Sequence, residues 1–334
     1  MNETNLFIKY KSSYSSSFID FTKHVFITSG SFYLLWLNKN NAISWLIVPL
    51  ISLLLNRTFI IFHDCCHGSY SPSKQLNYVL SHITGVFVVT SPNWILDHHT
   101  HHLTNGNIEN KQKYFFNETI ILTKKQYNSL STLKKTLYYV YKHPCIFFTF
   151  IPALYFGVMQ RFIYIYKKWK HPKKFNATLQ DVITDHVINN IGVLIYFYIL
   201  SSRGIFYHIM TSLFVSFSIS FMIFHNQHSY NPSYVVKHDE WTQKNSGLLG
   251  SSFIHIPYFL KYFYMGIEYH HIHHMNSKLP GYNLEYYHNE VISNSDWFNN
   301  VHNVGPTEFY DNLWLTLFNE ENNKYIGFYD KKII

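Results

Sequence analysis

The stretch His98-His99-Thr100-His101-His102 decides how this chain is read. Three of its imidazoles, His98, His101 and His102, stand at i, i+3 and i+4, positions that share one face of an α-helix. The pattern recurs as His270-His271-Ile272-His273-His274. A shorter version, His63-Asp64-Cys65-Cys66-His67, puts two imidazoles at i and i+4. Each cluster can therefore aim its rings at one point. Together the three supply eight neutral nitrogen ligands, where one tetrahedral zinc needs four. The surplus suits a pair of metals with open positions for oxygen chemistry. Imidazole sites without thiolates accept iron, zinc, copper or nickel, and iron is the member of that set suited to activating O₂.

The surroundings of the clusters are apolar. Hydrophobic residues make up 47% of the 334 residues and aromatic residues 19%, with 14% charged; soluble domains carry about 25% charged residues. Mean hydropathy is only −0.09, because apolar runs alternate with Lys-, Asn- and His-rich stretches. A helix needs about 20 mainly apolar residues to cross a bilayer. Ala42–Phe62 and Tyr207–Phe224 meet that length, Asn190–Leu200 meets it with its flanks, and His24–Leu37 is marginal. Short turns at 38–41 and 201–206 join these four runs into two helical hairpins. Two further runs, 83–96 and 145–162, are short or interrupted, and Pro144 and Pro152 disfavour a straight span.

If the clusters share one site, they lie on one side of the membrane, and each hairpin starts and ends there. The runs at 83–96 and 145–162 must then lie in the interface or re-enter. Basic residues gather on the same side, among them Lys9, Lys11, Lys23, Lys124, Lys125, Lys134, Lys135, Arg161, Lys167, Lys168, Lys170, Lys173 and Lys174, while the hairpin tips offer Lys39 and Arg203. The positive-inside rule makes the histidine side, with both termini, cytoplasmic. The net charge of +8 is thus a topology signal, and nucleic-acid binding is disfavoured because the lysines flank membrane segments and no nucleic-acid motif occurs. The chain divides into a polar N-terminal segment (1–21), a membrane domain with the three clusters (22–284), and a C-terminal segment of the same domain (285–334). Which membrane it occupies, endoplasmic reticulum or plasma membrane, is not encoded.

Cys65 and Cys66 sit within the first cluster but point off the His63/His67 face, and thiolates are vulnerable beside activated oxygen; neither is expected to be a ligand. Asp64, Asp97 and Glu268 are expected to hold imidazole N–H groups and fix their tautomers rather than to bind metal. Scattered histidines (His24, His82, His143, His171, His208, His238, His255) are expected to pack or hydrogen-bond.

These motifs resemble the integral-membrane fatty acid desaturases, most closely the acyl-lipid delta-12 (omega-6) group, from about Asn56 to Tyr329. The resemblance rests on His63-Asp-Cys-Cys-His67-Gly68-Ser69, where that group has Gly in place of Cys66. It rests also on Ser91-Pro-Asn-Trp94 before His98-x-x-His101-His102 and on Thr104-Asn105-Gly106-Asn107. The third box continues it, from Gly266 through His270-x-x-His273-His274 to Pro280-Gly-Tyr282-Asn283-Leu284. Gln227-His228, Gly250-Ser251-Ser252 and the ending from Leu313-Trp314 are similar too. The resemblance implies an all-α integral-membrane fold, with four transmembrane helices, interfacial helices and a cytosolic cap over a di-iron centre. It implies a ninth ligand, His228, with His225 left to packing, and it sets His99 and His271 aside as facing away from the metals.

The implied reaction uses O₂ and two external electrons to place a cis double bond in an acyl chain on a membrane lipid, oleoyl to linoleoyl. No His-Pro-Gly-Gly haem signature and no Gly-x-Gly-x-x-Gly motif occurs, so the electron donor is a separate protein, ferredoxin or cytochrome b5. Rival readings are another three-box di-iron oxygenase (a carotenoid, alkane or sphingolipid hydroxylase or ketolase) and a non-enzymatic metal-binding membrane protein.

Overall fold

The computed structural model describes residues 3–109, 121–172 and 177–329; Lys173 and Lys174 lie outside the described residues. The chain opens with a short helix, α1 (Glu3–Lys9), and a long one, α2 (Tyr14–Asn38), whose first turn is capped by the Ser13 hydroxyl accepting from Ser16 N. Helix α2 is polar inward and apolar outward. Ser17, His24 and Ser31 are buried, whereas Phe18, Phe26, Tyr33 and Leu34 are exposed, which is the pattern of a helix whose outer face meets lipid. His24 Nε2 lies 2.9 Å from Thr58 Oγ1 on the next helix. A 3₁₀ turn (Ala42–Leu46) leads into α3 (Val48–His67). This helix stops directly after the first histidine cluster, because Gly68 takes φ 66° and its N–H turns back to the Asp64 and Cys65 carbonyls.

Helices α4 (Lys74–Phe87) and α5 (Ile95–Thr104) follow. Residues 74–87 and 92–104 are bent by 103° at the break between them. Strand β1 (Leu122–Thr123) and the helix Thr132–Lys142 lead to the interrupted segment Pro144–Lys170, broken at Thr149 and unwound into a π turn at Tyr155–Met159. Phe148 near its start packs 5.1 Å from the His225 ring, Phe150 lies deeper against Phe214, and Lys167 near its end meets Asp97 in the second cluster. The segment therefore enters and leaves on the histidine side.

Two long helices complete the membrane part. Helix α6 (Leu179–Arg203) starts with a capping box between Thr178 and Asp181, and α7 (Phe206–His228) follows after Gly204 and Ile205, a tighter turn than the 201–206 of the sequence reading. The tips of the two hairpins touch. Lys39 Nζ donates to the Arg203 carbonyl at 3.0 Å, and Ser44 Oγ lies 2.9 Å from His208 Nε2. All the histidine boxes sit at the opposite end.

Among the described residues, four segments are long and apolar enough to cross a membrane: Ala42–His67, Pro144–Lys170, Leu179–Arg203 and Phe206–His228. Three match the spans expected from sequence. The fourth expected span, α2, is not among them, because its Ser-rich inner face dilutes its hydropathy; its 25 residues reach about 37 Å at 1.5 Å per residue, enough to cross. Pro144–Lys170 begins and ends beside the histidine end, the geometry of a re-entrant segment.

Above them lies a cap of short elements. Helix α8 (Gln243–Leu248) packs on α9 (His270–Met275), strand β2 (Phe253–Ile254) pairs in parallel with β3 (Asn303–Val304), and β4 (Leu317–Asn319) joins β1 and β5 (Lys324–Ile326). Helix α10 (Gly281–Asn294) crosses residue 284 without a break. The N-terminal segment is docked as well: Leu6 is buried with Tyr269 and Tyr287 of the cap, and Lys9 pairs with Glu290 at 2.5 Å.

Candidate metal centre and its family

The histidine clusters converge. His63, His67, His98, His102 and His273 form one group, and His101, His228, His270 and His274 form a second, all buried, with the potential ligand atoms of each group within 4.8 Å of one another. The nine are the residues singled out in the sequence. Helical spacing explains the division. In α5 the i, i+4 pair His98/His102 serves the first group while His101, on the flank of the same face, serves the second. In α9 the i, i+4 pair His270/His274 serves the second and His273 the first. The groups abut, with the His102 and His274 rings stacked at 4.2 Å.

The nitrogens themselves test whether a metal fits. Nε2 of His98 lies 3.0 Å from those of both His63 and His102, and His102 Nε2 is 3.0 Å from that of His273. In the second group His228 Nε2 lies 3.0 Å from that of His101 and 2.9 Å from that of His270. A neutral imidazole carries one N–H, so such chains of converging Nε2 atoms cannot all be satisfied as hydrogen bonds. Among the described residues His67 Nε2 and His274 Nε2 are buried with no hydrogen-bond partner. Two nitrogens about 2.1 Å from one metal are about 3.0 Å apart at a right angle and about 3.4 Å apart at a tetrahedral one. The observed edges fit right-angled coordination, which leaves room for further ligands. Burial, reinforced by neighbouring imidazoles, holds His270, His273 and His274 well below the ordinary histidine pKa, so they are neutral and able to ligate.

The three acidic residues near the boxes meet different partners. Asp64 Oδ1 lies 3.0 Å from His63 Nδ1, and its Oδ2 accepts the Gly281 N–H at 2.6 Å. The carboxylate thus fixes the His63 tautomer, leaves Nε2 bare, and ties the first box to the start of α10. Asp64→Asn is expected to lower metal affinity or turnover by roughly 10- to 100-fold, measured as metal retained on dialysis against a chelator. Asp97 is held by Lys167, whose Nζ is 2.5 Å from both carboxylate oxygens. Glu268 is buried next to α9 with Oε2 lacking a partner among the described residues, and burial pushes its carboxyl up to about 7. His99 is exposed. His271 is fully buried against Phe298 and His288, and His225 Nε2 lies 2.9 Å from the Asn312 carbonyl; neither belongs to the two groups. Cys65 packs with Ile60, Ile61 and Tyr70, away from the ligands.

Helix α9 is short because its entry is a forced turn. Met265 and Gly266 both take positive φ, and a Cβ on Gly266 would sit 2.3 Å from the Gly281 carbonyl oxygen. Helix α5 is anchored from the cap: Trp241 Nε1 donates to the Asn105 carbonyl at 2.7 Å, and Asn105 Nδ2 donates to Gly250 O at 2.8 Å. Several contributors were not foreseen. Trp94 stacks on His98 with ring centres 4.2 Å apart, Gln243 donates to the His274 carbonyl, and Lys278 Nζ donates to the His67 carbonyl. Trp94 was visible only as part of a motif, and Lys167 only as one basic residue in a flank, which carries no sign of its partner.

A family model described as fatty acid desaturase matches residues 41–303. The chain belongs to the fatty acid desaturase family. The desaturase is 28% identical over 278 residues to a fatty acid desaturase of Bacillus subtilis, a match covering 82% of this chain and 74% of that protein. Shorter matches reach plant and cyanobacterial proteins. One is an sn-1 acyl-lipid omega-3 desaturase (ferredoxin) of Synechocystis, 30% identical over 99 residues, covering 28% of this chain and 26% of that protein. Another is a chloroplastic sn-2 acyl-lipid omega-3 desaturase (ferredoxin) of Helianthus annuus, 30% identical over 112 residues, covering 32% and 24%. With its crossing helices and histidine clusters, the desaturase is an integral-membrane oxidoreductase with a donor set suited to metal.

Proposed function

We propose that this desaturase inserts a cis double bond into an acyl chain of a membrane lipid, with iron held by His63, His67, His98, His102 and His273 on one side and His101, His228, His270 and His274 on the other. The observation that carries the reading is a cavity of about 680 Å³ directly below the histidines, lined by His63, His98 and His270 together with Phe59, Phe156, Phe221 and Phe224. Histidines of both groups thus border one narrow apolar space. When bound, the iron pair supplies O₂ activation and the oxidation that removes two hydrogens from adjacent methylenes, with two external electrons consumed and two waters released. The chain's own part is positioning. The aromatic wall excludes water and holds the methylenes at a fixed depth. Among the polar residues at the wall, Asn56 and Ser220 bond to each other at 2.7 Å and Gln227 Nε2 donates to the Ile267 carbonyl at 2.8 Å, so these groups present little polarity to the chain.

Regioselectivity is the finer part of the proposal. The residues around the boxes favour oleoyl lipid and delta-12. The omega-3 names of the short-range relatives favour a second reading, in which the substrate is already a diene. Expression in a yeast that lacks linoleate, followed by gas chromatography, separates them. Linoleate formed from endogenous oleate, with little product from 18:0, is the expected result. Trienoate formed only when linoleate is fed supports omega-3, and a hydroxylated product overturns the desaturation reading.

Electrons are supplied by ferredoxin or cytochrome b5, and the lysine-rich histidine side is the cytoplasmic face on which an acidic donor is steered. The contact between the two hairpin tips supports one shared far side. Single cysteines placed at Asn40 and at Lys170 are expected to label from opposite sides of the membrane; labelling from the same side rules out the two-hairpin topology.

A further inference from the structure

A second cavity, of about 780 Å³, adjoins the one below the histidines. The two share Ile223 and Tyr264 as a common wall. The wall is firm: both side chains are buried, and they pack in one cluster with Ile254 and Val304, which belong to the paired strands β2 and β3. The second cavity is a half-open groove of aliphatic and aromatic side chains, closed on one flank by Pro257 and on another by Gly305 and Phe309.

Its depth can be read from its neighbours. Ile223 stands five residues before His228 on α7, about 7.5 Å along the helix. Tyr258 and Phe259, directly after Pro257, are 89% and 75% exposed. They sit in a short 3₁₀ turn, Tyr258–Leu260, leading into the helix Lys261–Tyr264 that packs on α3, and exposed aromatic side chains beside a span are characteristic of the bilayer interface. The groove therefore opens where lipid glycerol esters lie, one side chain away from the acyl cavity. A single-chain substrate has no use for such a space. A diacyl lipid with one chain under the histidines must place its glycerol and its other chain close beside it.

We infer that this groove seats the glycerol ester and second acyl chain of a diacyl lipid, with Tyr264 and Ile223 standing between the two chains. The inference rests on the acyl-lipid reading above and makes the substrate class specific: the unit recognised is the two-chain lipid.

Gly305 offers the test. Its φ is −84°, a Cβ there meets nothing within 4 Å, and the residue lines the groove, so Gly305→Phe places a ring at the groove wall from a position with open space. In nanodiscs, with ferredoxin and its reductase, the variant is expected to raise KM for dioleoyl-phosphatidylcholine on the order of tenfold. Turnover of oleoyl-lysophosphatidylcholine is expected to be unchanged. Equal losses on both substrates, or none on either, overturn the inference. A second readout needs no turnover. A phosphatidylcholine with a photoactivatable second chain is expected to label residues 253–257 in the unaltered protein and to lose that labelling in Gly305→Phe. Labelling that is absent, or unaffected by the variant, overturns the groove assignment. Labelling that behaves as expected in a protein without turnover upholds the groove and counts instead against the proposed reaction.

Discussion

His273→Ala is expected to bring turnover to background, a loss on the order of a hundredfold or more, since removing even a partner of a ligand costs roughly 10- to 100-fold. His273 comes from α9 yet joins the group dominated by α3 and α5, and its Nε2 is 3.0 Å from that of His102. Its loss opens one group while leaving the other four-membered set whole. Metal analysis of the purified variant is expected to show reduced metal per chain at unchanged membrane insertion. His99→Ala, at an exposed position on the same helix as three of the converging histidines, is expected to keep most of the activity. Full turnover in His273→Ala would sink the shared-site model.

Ser220→Phe separates the cavity from the metals. Ser220 lines the acyl cavity from α7 and donates to Asn56 Oδ1 at 2.7 Å. A phenyl ring there fills the space an acyl chain needs, and misplacing a substrate by about 1 Å can cost roughly a hundredfold. Turnover of 18-carbon chains is expected to fall by about that factor, with metal content at the level of the unaltered protein. A variant with normal turnover would show that the chain passes elsewhere, while one that also loses metal would show that the substitution had disturbed the helices themselves.

The site was more legible than the scaffold. Imidazole spacing is a local signal: i, i+3 and i+4 define a helix face regardless of what the helix packs against, so eight of the nine converging histidines could be named from spacing, and His228 only from the resemblance. Which of them pair could not, since that depends on how α5 and α9 cross. The hairpins of α3, α6 and α7 followed from long apolar runs. Helix α2 was the weak case because a membrane helix is recognised by its mean hydropathy, and serines turned inward count against it although they never meet lipid. The interrupted segment at 144–170 is the converse. Its hydropathy passes for a span, and only its prolines and its contacts with Asp97 and His225 betray the return. Buried partners such as Lys167 for Asp97 and Lys278 for the His67 carbonyl stayed hidden, because long-range contacts leave no periodicity in sequence.

The proposed ligands come from four helices, α3, α5, α7 and α9, that lie far apart along the chain. A metal bound between them acts as a rivet through distant loops: it binds the folded arrangement and not the unfolded chain, and so stabilises the fold by linkage. Holding the cap down and loading the metal are then one cooperative event. Stripped by a chelator, the protein is expected to loosen first where α9 and α10 meet α3, and a protease is expected to cut there before the hairpins, still clasped at their far tips, come apart.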